Sequence, residues 1–254
     1  MPDSSFFITL LAAHLLGDFY FQSPAMANDK NTNYAVLLRH CLYYGLTLAV
    51  GTMLFFSPAS CIRAVLWGVG THAVIDFLKT CFWEDLQTHP KGTFLVDQLL
   101  HLSVLAAVSL YGPTVELSPA LPWPPALPYE PEKFLRLLCL ALFLGKPANI
   151  VLKTLNLKPP VPTAKETQPL MIADQATPEY QRAGATIGTL ERFLTALLFL
   201  LEAYAAIAVV FAAKTLTRYD KITKDETFSE YYLIGTLGSL LLAIIPTLLL
   251  FPPQ

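Results

Sequence analysis

Long apolar runs, each close to the length needed to cross a bilayer, constrain this chain more than any other feature. A transmembrane helix needs about 20 mostly apolar residues, and seven segments of the sequence meet this description. Mean hydropathy is +0.49 and only 14% of residues are charged, against about 25% in soluble domains. The pattern predicts an all-α, polytopic transmembrane helix bundle of about seven helices, with six or eight spans as alternatives.

Charged and proline-rich stretches separate the predicted spans. The spans are Ser5–Gln22, Asn33–Phe56, Ser60–Trp83, Thr93–Tyr111, Pro131–Leu155, Arg182–Leu216 and Glu230–Phe251. The fifth contains Lys146-Pro147, and because proline lacks a backbone N–H we expect it to kink or split into two half-helices. The proline-rich connector 113–131 divides a four-helix half, 1–112, from a three-helix half, 132–254.

The composition and the absent motifs argue against several functional classes. The net charge of −2 offers no basic surface for nucleic acid, so membrane lipids are the expected partners. The four cysteines form no CxxC pair, and we assign them no redox or metal role. No HExxH, GxSxG or Walker A motif occurs, which disfavours zinc proteases of that type, serine hydrolases and ATP-driven pumps. The first apolar run has no preceding Lys or Arg, so we expect it to be retained as a helix.

Ionisable residues are concentrated inside the first four predicted spans. They are His14 and Asp18, His40, His72 and Asp76, and Asp97 and His101. Each His and Asp pair is four residues apart, which places both side chains on one helix face. Three unpaired aspartates in a bilayer would cost about 8–10 kcal/mol even on a lenient insertion scale. A metal ion, a shared proton or water in a cavity must therefore compensate them.

Imidazole and carboxylate are ligands that suit Zn, Mn or Fe, so we predict a divalent transition-metal site. One such pair alone would be interpreted as a structural hydrogen bond, but three pairs and His40 together favour a joint site. All seven side chains are candidate ligands, around one ion or two: His14, Asp18, His40, His72, Asp76, Asp97 and His101.

Three functions are compatible with such a site. The first is a metal-dependent membrane hydrolase of a lipid-linked or amphiphilic substrate. In it Asp18, Asp76 or Glu191 would act as the general base. The basic side chains Lys30, Lys79 and Arg192 would hold a phosphate or carboxylate headgroup. The alternatives are a metal-ion or proton-coupled transporter, and a structural membrane subunit in which the pairs tie helices together.

The motifs together resemble a known family. They are Ala13-His-Leu-Leu-Gly-Asp-Phe-Tyr-Phe-Gln22, His72-x-x-x-Asp76-x-x-Lys79, Phe94-x-x-Asp97-Gln-x-x-His101, Ile187-Gly-x-Leu-Glu-Arg192 and Glu230-Tyr-Tyr-Leu-Ile-Gly-Thr236. This set resembles the bacterial inner-membrane family catalogued as domain of unknown function 3307, across nearly the whole chain. The resemblance implies a bacterial inner-membrane protein and implies no reaction. A looser similarity, in intramembrane His and Asp residues, is to membrane-bound metal-dependent hydrolases.

Overall fold

A computed structural model describes residues 4–111, 130–155, 157 and 178–252. These residues are mainly helical, and no β-strand occurs among them. The predicted all-α helix bundle is therefore confirmed for the described part of the chain. The predicted connector 113–131 lies outside it except for its last two residues, and the division at that connector stays a prediction. The chain packs as two compact units, Met1–Leu142 and Phe143–Gln254.

The first unit contains the helices that carry the histidines. They are α1 (Ser4–Leu15), a π-helical segment (Leu16–Tyr20), α2 (Pro24–Asp29), α3 (Tyr34–Phe55), α4 (Pro58–Cys81), α5 (Trp83–Leu86), α6 (Pro90–Tyr111) and α7 (Pro131–Leu144), whose last two residues fall in the second unit. Side-chain caps begin two of them, since Ser23 accepts a hydrogen bond from the Met26 N–H and Asn33 accepts from Ala35 and Val36.

Helices α1, α3, α4 and α6 form a four-helix arrangement in which α1 packs against α3 and α6, and α4 packs against the same two helices. One half of its interior is apolar, built around Phe6, Leu10, Leu48, Phe56 and Leu105. The other half holds the histidines and aspartates. The last turns of α1 and α4 and the first turns of α3 and α6 meet at this polar end of the bundle.

The second unit is also helical, with α8 (Lys146–Thr154), α9 (Pro178–Leu200), α10 (Tyr204–Leu216), α11 (Tyr219–Lys224) and α12 (Glu226–Leu250). Helix α12 packs against both α8 and α9. Gly235 permits α12 to approach the residues that follow α8, because a Cβ atom there would lie 2.7 Å from the backbone oxygen of Leu157.

Four stretches of helix among the described residues are long and apolar enough to cross a membrane. They are Cys61–Cys81, Pro90–Tyr111, Pro131–Thr154 and Glu226–Leu250. The stretches Ser5–Tyr20 and Tyr204–Leu216 are apolar but shorter. These spans agree with an integral membrane protein, whereas the predicted number of seven stays a prediction.

Two predicted spans are interrupted. The break expected near Lys146-Pro147 is confirmed, because α7 ends at Leu144 and Gly145 has a non-helical ψ of −116°. The single span Arg182–Leu216 was wrong, since α9 ends at Leu200 and α10 begins at Tyr204. The α9 terminus is a Schellman motif, in which the Ala203 N–H bonds Leu198 O and Glu202 adopts a φ of 56°. Glycine usually occupies that left-handed position, so glutamate gave no sequence signal.

Candidate metal site

Helical periodicity directs the ionisable side chains of four helices toward the interior of the bundle. On α3 the buried positions recur every three or four residues, at Leu37, His40, Tyr44, Leu48 and Thr52. The same spacing buries Asp97, His101 and Leu105 on α6. None of the seven candidate ligands is more than 9% exposed.

Four side-chain atoms from three helical elements converge at the centre, and we call them the central quartet: Asp18 Oδ1, His40 Nε2, His72 Nε2 and Asp76 Oδ2. The two imidazole nitrogens are 3.2 Å apart. His40 Nε2 is 3.4 Å from the Asp18 oxygen and 3.1 Å from the Asp76 oxygen. His72 Nε2 is 3.6 Å and 3.5 Å from the same two oxygens. Five of the six distances within the quartet thus lie between 3.1 and 3.6 Å.

A π-helical turn delivers Asp18 to the quartet. Phe21 N–H bonds the carbonyl of Leu16, five residues earlier, so the end of the first span is wider than an α-helix. Such π turns are rare and occur mostly at functional sites. His14 Nδ1 is consequently 3.8 Å from Asp18 Oδ2, which is too long for a hydrogen bond, and the other Asp18 oxygen faces His40 and His72.

Tyr44 fixes the orientation of the His72 ring. The two rings stack at a centroid separation of 3.5 Å with an interplanar angle of 6°. Gly17 makes room for this tyrosine, because a Cβ atom at residue 17 would lie 2.8 Å from Tyr44 Cδ2. Sequence reasoning missed Tyr44, although its position one helical turn after His40 places it on the same inward face.

His14 and His101 form a second layer beside His72. The His101 ring lies 4.5 Å from His72 and 5.4 Å from His14 between centroids. His101 Nδ1 donates to the carbonyl of Asp97 at 2.8 Å, which leaves Nε2 as the nitrogen with a free lone pair. That nitrogen is buried without a hydrogen-bond partner, as are both nitrogens of His14. These atoms are available to a ligand or water.

Lys30 covers the polar end of the central quartet. Its ammonium donates to Asp76 Oδ2 at 2.7 Å, and its side chain is only 7% exposed. Burial opposes the charge, yet Asp76 and Asp18 outweigh it and raise the pKa of Lys30. Thr80 Oγ1 donates to the Lys30 carbonyl at 3.3 Å and so ties this segment to α4.

Asp97 has different partners from the other two aspartates. Its Oδ1 atom is 3.1 Å from the Lys79 ammonium, and its Oδ2 atom accepts from the Gln98 amide at 3.1 Å. Two ligand groups with atoms within 4.8 Å of one another occur among the described residues, namely His14, Asp18 and His72, and His40, His72 and Asp76. Five of the seven predicted ligands therefore meet as potential metal ligands, and Asp97 and His101 flank them.

Glu191 and Arg192, predicted as base and headgroup ligand, lie in the second unit. Glu191 binds the Lys214 ammonium at 2.5 Å. Arg192 is 1% exposed, and its Nε atom donates to Leu144 O at 2.9 Å. Leu144 is the last residue of α7, so the guanidinium supplies a donor to a helix end that the Lys146-Pro147 break leaves without its usual partner. Their predicted functional roles remain predictions.

The resemblance seen in the sequence motifs agrees with a family model over 116 of the 254 residues. Residues 6–121 match the model of the family described as protein of unknown function DUF3307. The match contains every member of the His and Asp cluster, together with Lys30 and Lys79. The motifs noted at 187–192 and 230–236 lie outside it. No curated protein and no solved structure matches this chain.

Proposed function

We propose that the first unit binds one divalent transition-metal ion, Zn, Mn or Fe, between its helices and serves as a metal-ion carrier. The observation that supports this most strongly is the spacing of the central quartet. Zinc bonds to His nitrogen and Asp oxygen are about 2.0–2.2 Å long, and a tetrahedron with such bonds has edges of about 3.3–3.6 Å. The five measured edges are 3.1–3.6 Å.

The formal charge of the cluster supports one ion rather than two. Asp18, Asp76 and Asp97 contribute three negative charges and Lys30 and Lys79 two positive charges, so with neutral histidines the sum is −1. One divalent ion changes the sum to +1, whereas two would give +3. Because the cost of burying charge rises steeply with its magnitude, the single-ion state is favoured.

The closed ligand set favours a carrier over a hydrolase. Catalytic zinc sites usually keep one coordination position for water, whereas four protein ligands fill a tetrahedron. With Asp18, His40, His72 and Asp76 all bound, a hydrolytic water would have to displace a ligand. An ion held by side chains alone can instead be released when helices separate, as transport requires. His72 lies about 14 Å along α4 from Cys81, close to the middle of its span.

The first experiment measures bound metal in detergent-purified protein by elemental mass spectrometry. We expect close to one equivalent in wild type and its loss in His72→Ala and Asp76→Asn. The exposed His89 offers the matched control, because His89→Ala removes an imidazole from the same unit outside the cluster. Wild type that takes up no Zn, Mn or Fe after equilibration with each ion would refute the proposal.

Flux then separates carrier from hydrolase. Proteoliposomes that contain wild type should accumulate the metal that the purified protein binds, and those with folded His72→Ala should not. Metal binding without flux, together with hydrolysis of a lipid-linked phosphate, would favour the hydrolase over the carrier.

A proton carrier is the second candidate, and one distance favours it. The 3.2 Å separation of His40 Nε2 and His72 Nε2 also suits an N–H···N hydrogen bond, and one added proton would neutralise the cluster charge of −1. Proton flux without metal binding in the same liposomes, lost in His72→Ala, would support this function instead.

A further inference from the structure

An apolar groove runs along the outer face of the bundle between α4 and α6, on the side away from His72 and Asp76. Two adjoining cavities of about 560 and 570 Å³ form it, and they share Trp67, Thr71 and Val104. Trp67 is 69% exposed and Leu66 67%. Gly70 lines the groove, and a Cβ atom there would meet no other atom within 4 Å. The groove is therefore open to the surroundings and lies on the outer faces of two candidate spans.

The length of the groove matches one leaflet of a bilayer. Its lining on α4 extends from Arg63 to Ile75, which is about 18 Å at the helical rise of 1.5 Å per residue. Half of a hydrocarbon core is about 15 Å. Both helices are candidate spans, so the groove lies at the depth of lipid acyl chains. An extended acyl chain of one leaflet matches this groove in length and in its apolar character.

One end of the groove is basic and aromatic. Arg63 lies in the first turns of α4, is exposed, and takes part in no ion pair among the described residues. Tyr111, at the last residue of the antiparallel α6, lines the same end and is 88% exposed. Arginine binds phosphate through paired N–H donors, and Tyr and Trp are enriched at the headgroup level. This end has the chemistry that a phosphate headgroup requires.

We propose that the groove is a binding site for one anionic phospholipid. The phosphate contacts Arg63, and an acyl chain lies along Trp67, Gly70 and Val104 toward Ile75. The site is independent of the metal ligands, which face the interior of the bundle.

Native mass spectrometry of protein released from nanodiscs of phosphatidylcholine with a minor fraction of phosphatidylglycerol tests the site. We expect wild type to retain one phosphatidylglycerol in preference to phosphatidylcholine. A basic residue near a membrane surface contributes about 1 kcal/mol to the binding of anionic lipid, so Arg63→Gln should reduce that preference about fivefold. Gly70→Leu should remove both lipids, because its side chain enters the groove without meeting protein atoms.

Two control variants match these changes elsewhere in the unit. Arg39→Gln alters an exposed arginine on α3, and Gly92→Leu alters an exposed glycine with equally open surroundings on α6. Both should retain lipid as wild type does. Equal retention of the two lipids by wild type, or unchanged retention in Arg63→Gln and Gly70→Leu, would overturn the proposal. A wild-type dimer that Gly70→Leu converts to monomer would also overturn it and assign the groove to a second copy of the chain.

Discussion

Lys30 binds the Asp76 oxygen that the proposed metal ion would also bind, so replacing this lysine is a sensitive test of the site. The ammonium is 2.7 Å from Asp76 Oδ2, and with a metal–oxygen bond of about 2.0–2.2 Å the two cations would be at most about 5 Å apart. With an effective dielectric constant of about 20, a single and a double charge at that separation repel by about 7 kcal/mol.

Part of this repulsion is relieved when the lysine side chain moves, and Lys30→Met also removes a hydrogen bond that orients Asp76, worth about 1–3 kcal/mol. The balance remains in favour of tighter binding. We expect Lys30→Met to bind zinc at least about tenfold more tightly, which corresponds to only 1.4 kcal/mol. Lys30→Arg preserves the charge and should stay close to wild type.

Competition against a fluorescent zinc chelator, with each variant in the same detergent, measures this difference directly. Weaker binding by Lys30→Met beside normal binding by Lys30→Arg would refute the electrostatic argument. Lys30 would then act as a positioning residue that holds Asp76 in place, and the metal site itself would stand. Absence of zinc binding in all three proteins would exclude zinc as the ion of this site.

Two further substitutions test how the fold supports the cluster. Gly17→Ala forces a methyl group against Tyr44, so it should destabilise the first unit by about 1–3 kcal/mol and lower the bound metal. Gly92→Ala, whose Cβ has open surroundings, should change neither quantity, and equal melting temperatures of the two variants would contradict the packing argument. Arg192→Met leaves Leu144 O without its buried donor and should lower the free energy of unfolding by about 1–3 kcal/mol, as measured by thermal unfolding. The amount of bound metal should not change. Loss of metal from the folded variant would show that the arginine affects the site.

Spacing in the sequence was sufficient to select the residues that form the buried cluster, but not to predict which of them contact one another. The four-residue spacing correctly put His72 and Asp76 on one face, because an α-helix brings such positions together. The same rule failed in detail for His14 and Asp18, since the π turn at Leu16–Tyr20 redirects the aspartate and has no sequence signature. Periodicity also cannot tell which helices are neighbours, so the meeting of His40 with His72 was not predictable.

Asp97 illustrates the same limit. It was grouped with His101 by spacing, yet its carboxylate binds Lys79 and only its backbone carbonyl binds the histidine. Lys79 is three residues after Asp76, close to the polar end where α6 begins. Lysine has a long stem that extends toward the nearest carboxylate. Which carboxylate Lys79 binds depends on the rotation of α6 about its own axis, and the sequence does not specify that rotation.

The position of the cluster within the bundle determines what an ion carrier would have to move. From His72 the candidate span continues for about 16 Å to Cys61 through the apolar half of the interior. Small residues bring the helices together there, since a Cβ atom at Gly68 would lie 2.7 Å from Leu48 Cδ2 and one at Gly51 would lie 3.2 Å from Ala13 Cβ. Contacts of this kind lack hydrogen bonds, so the helices can separate without leaving a buried polar group unpaired. The polar end is instead held by the Lys30–Asp76 and Lys79–Asp97 ion pairs. An ion that enters past these lysines would therefore leave by separation of α3 from α4 and of α1 from α3 in the apolar half.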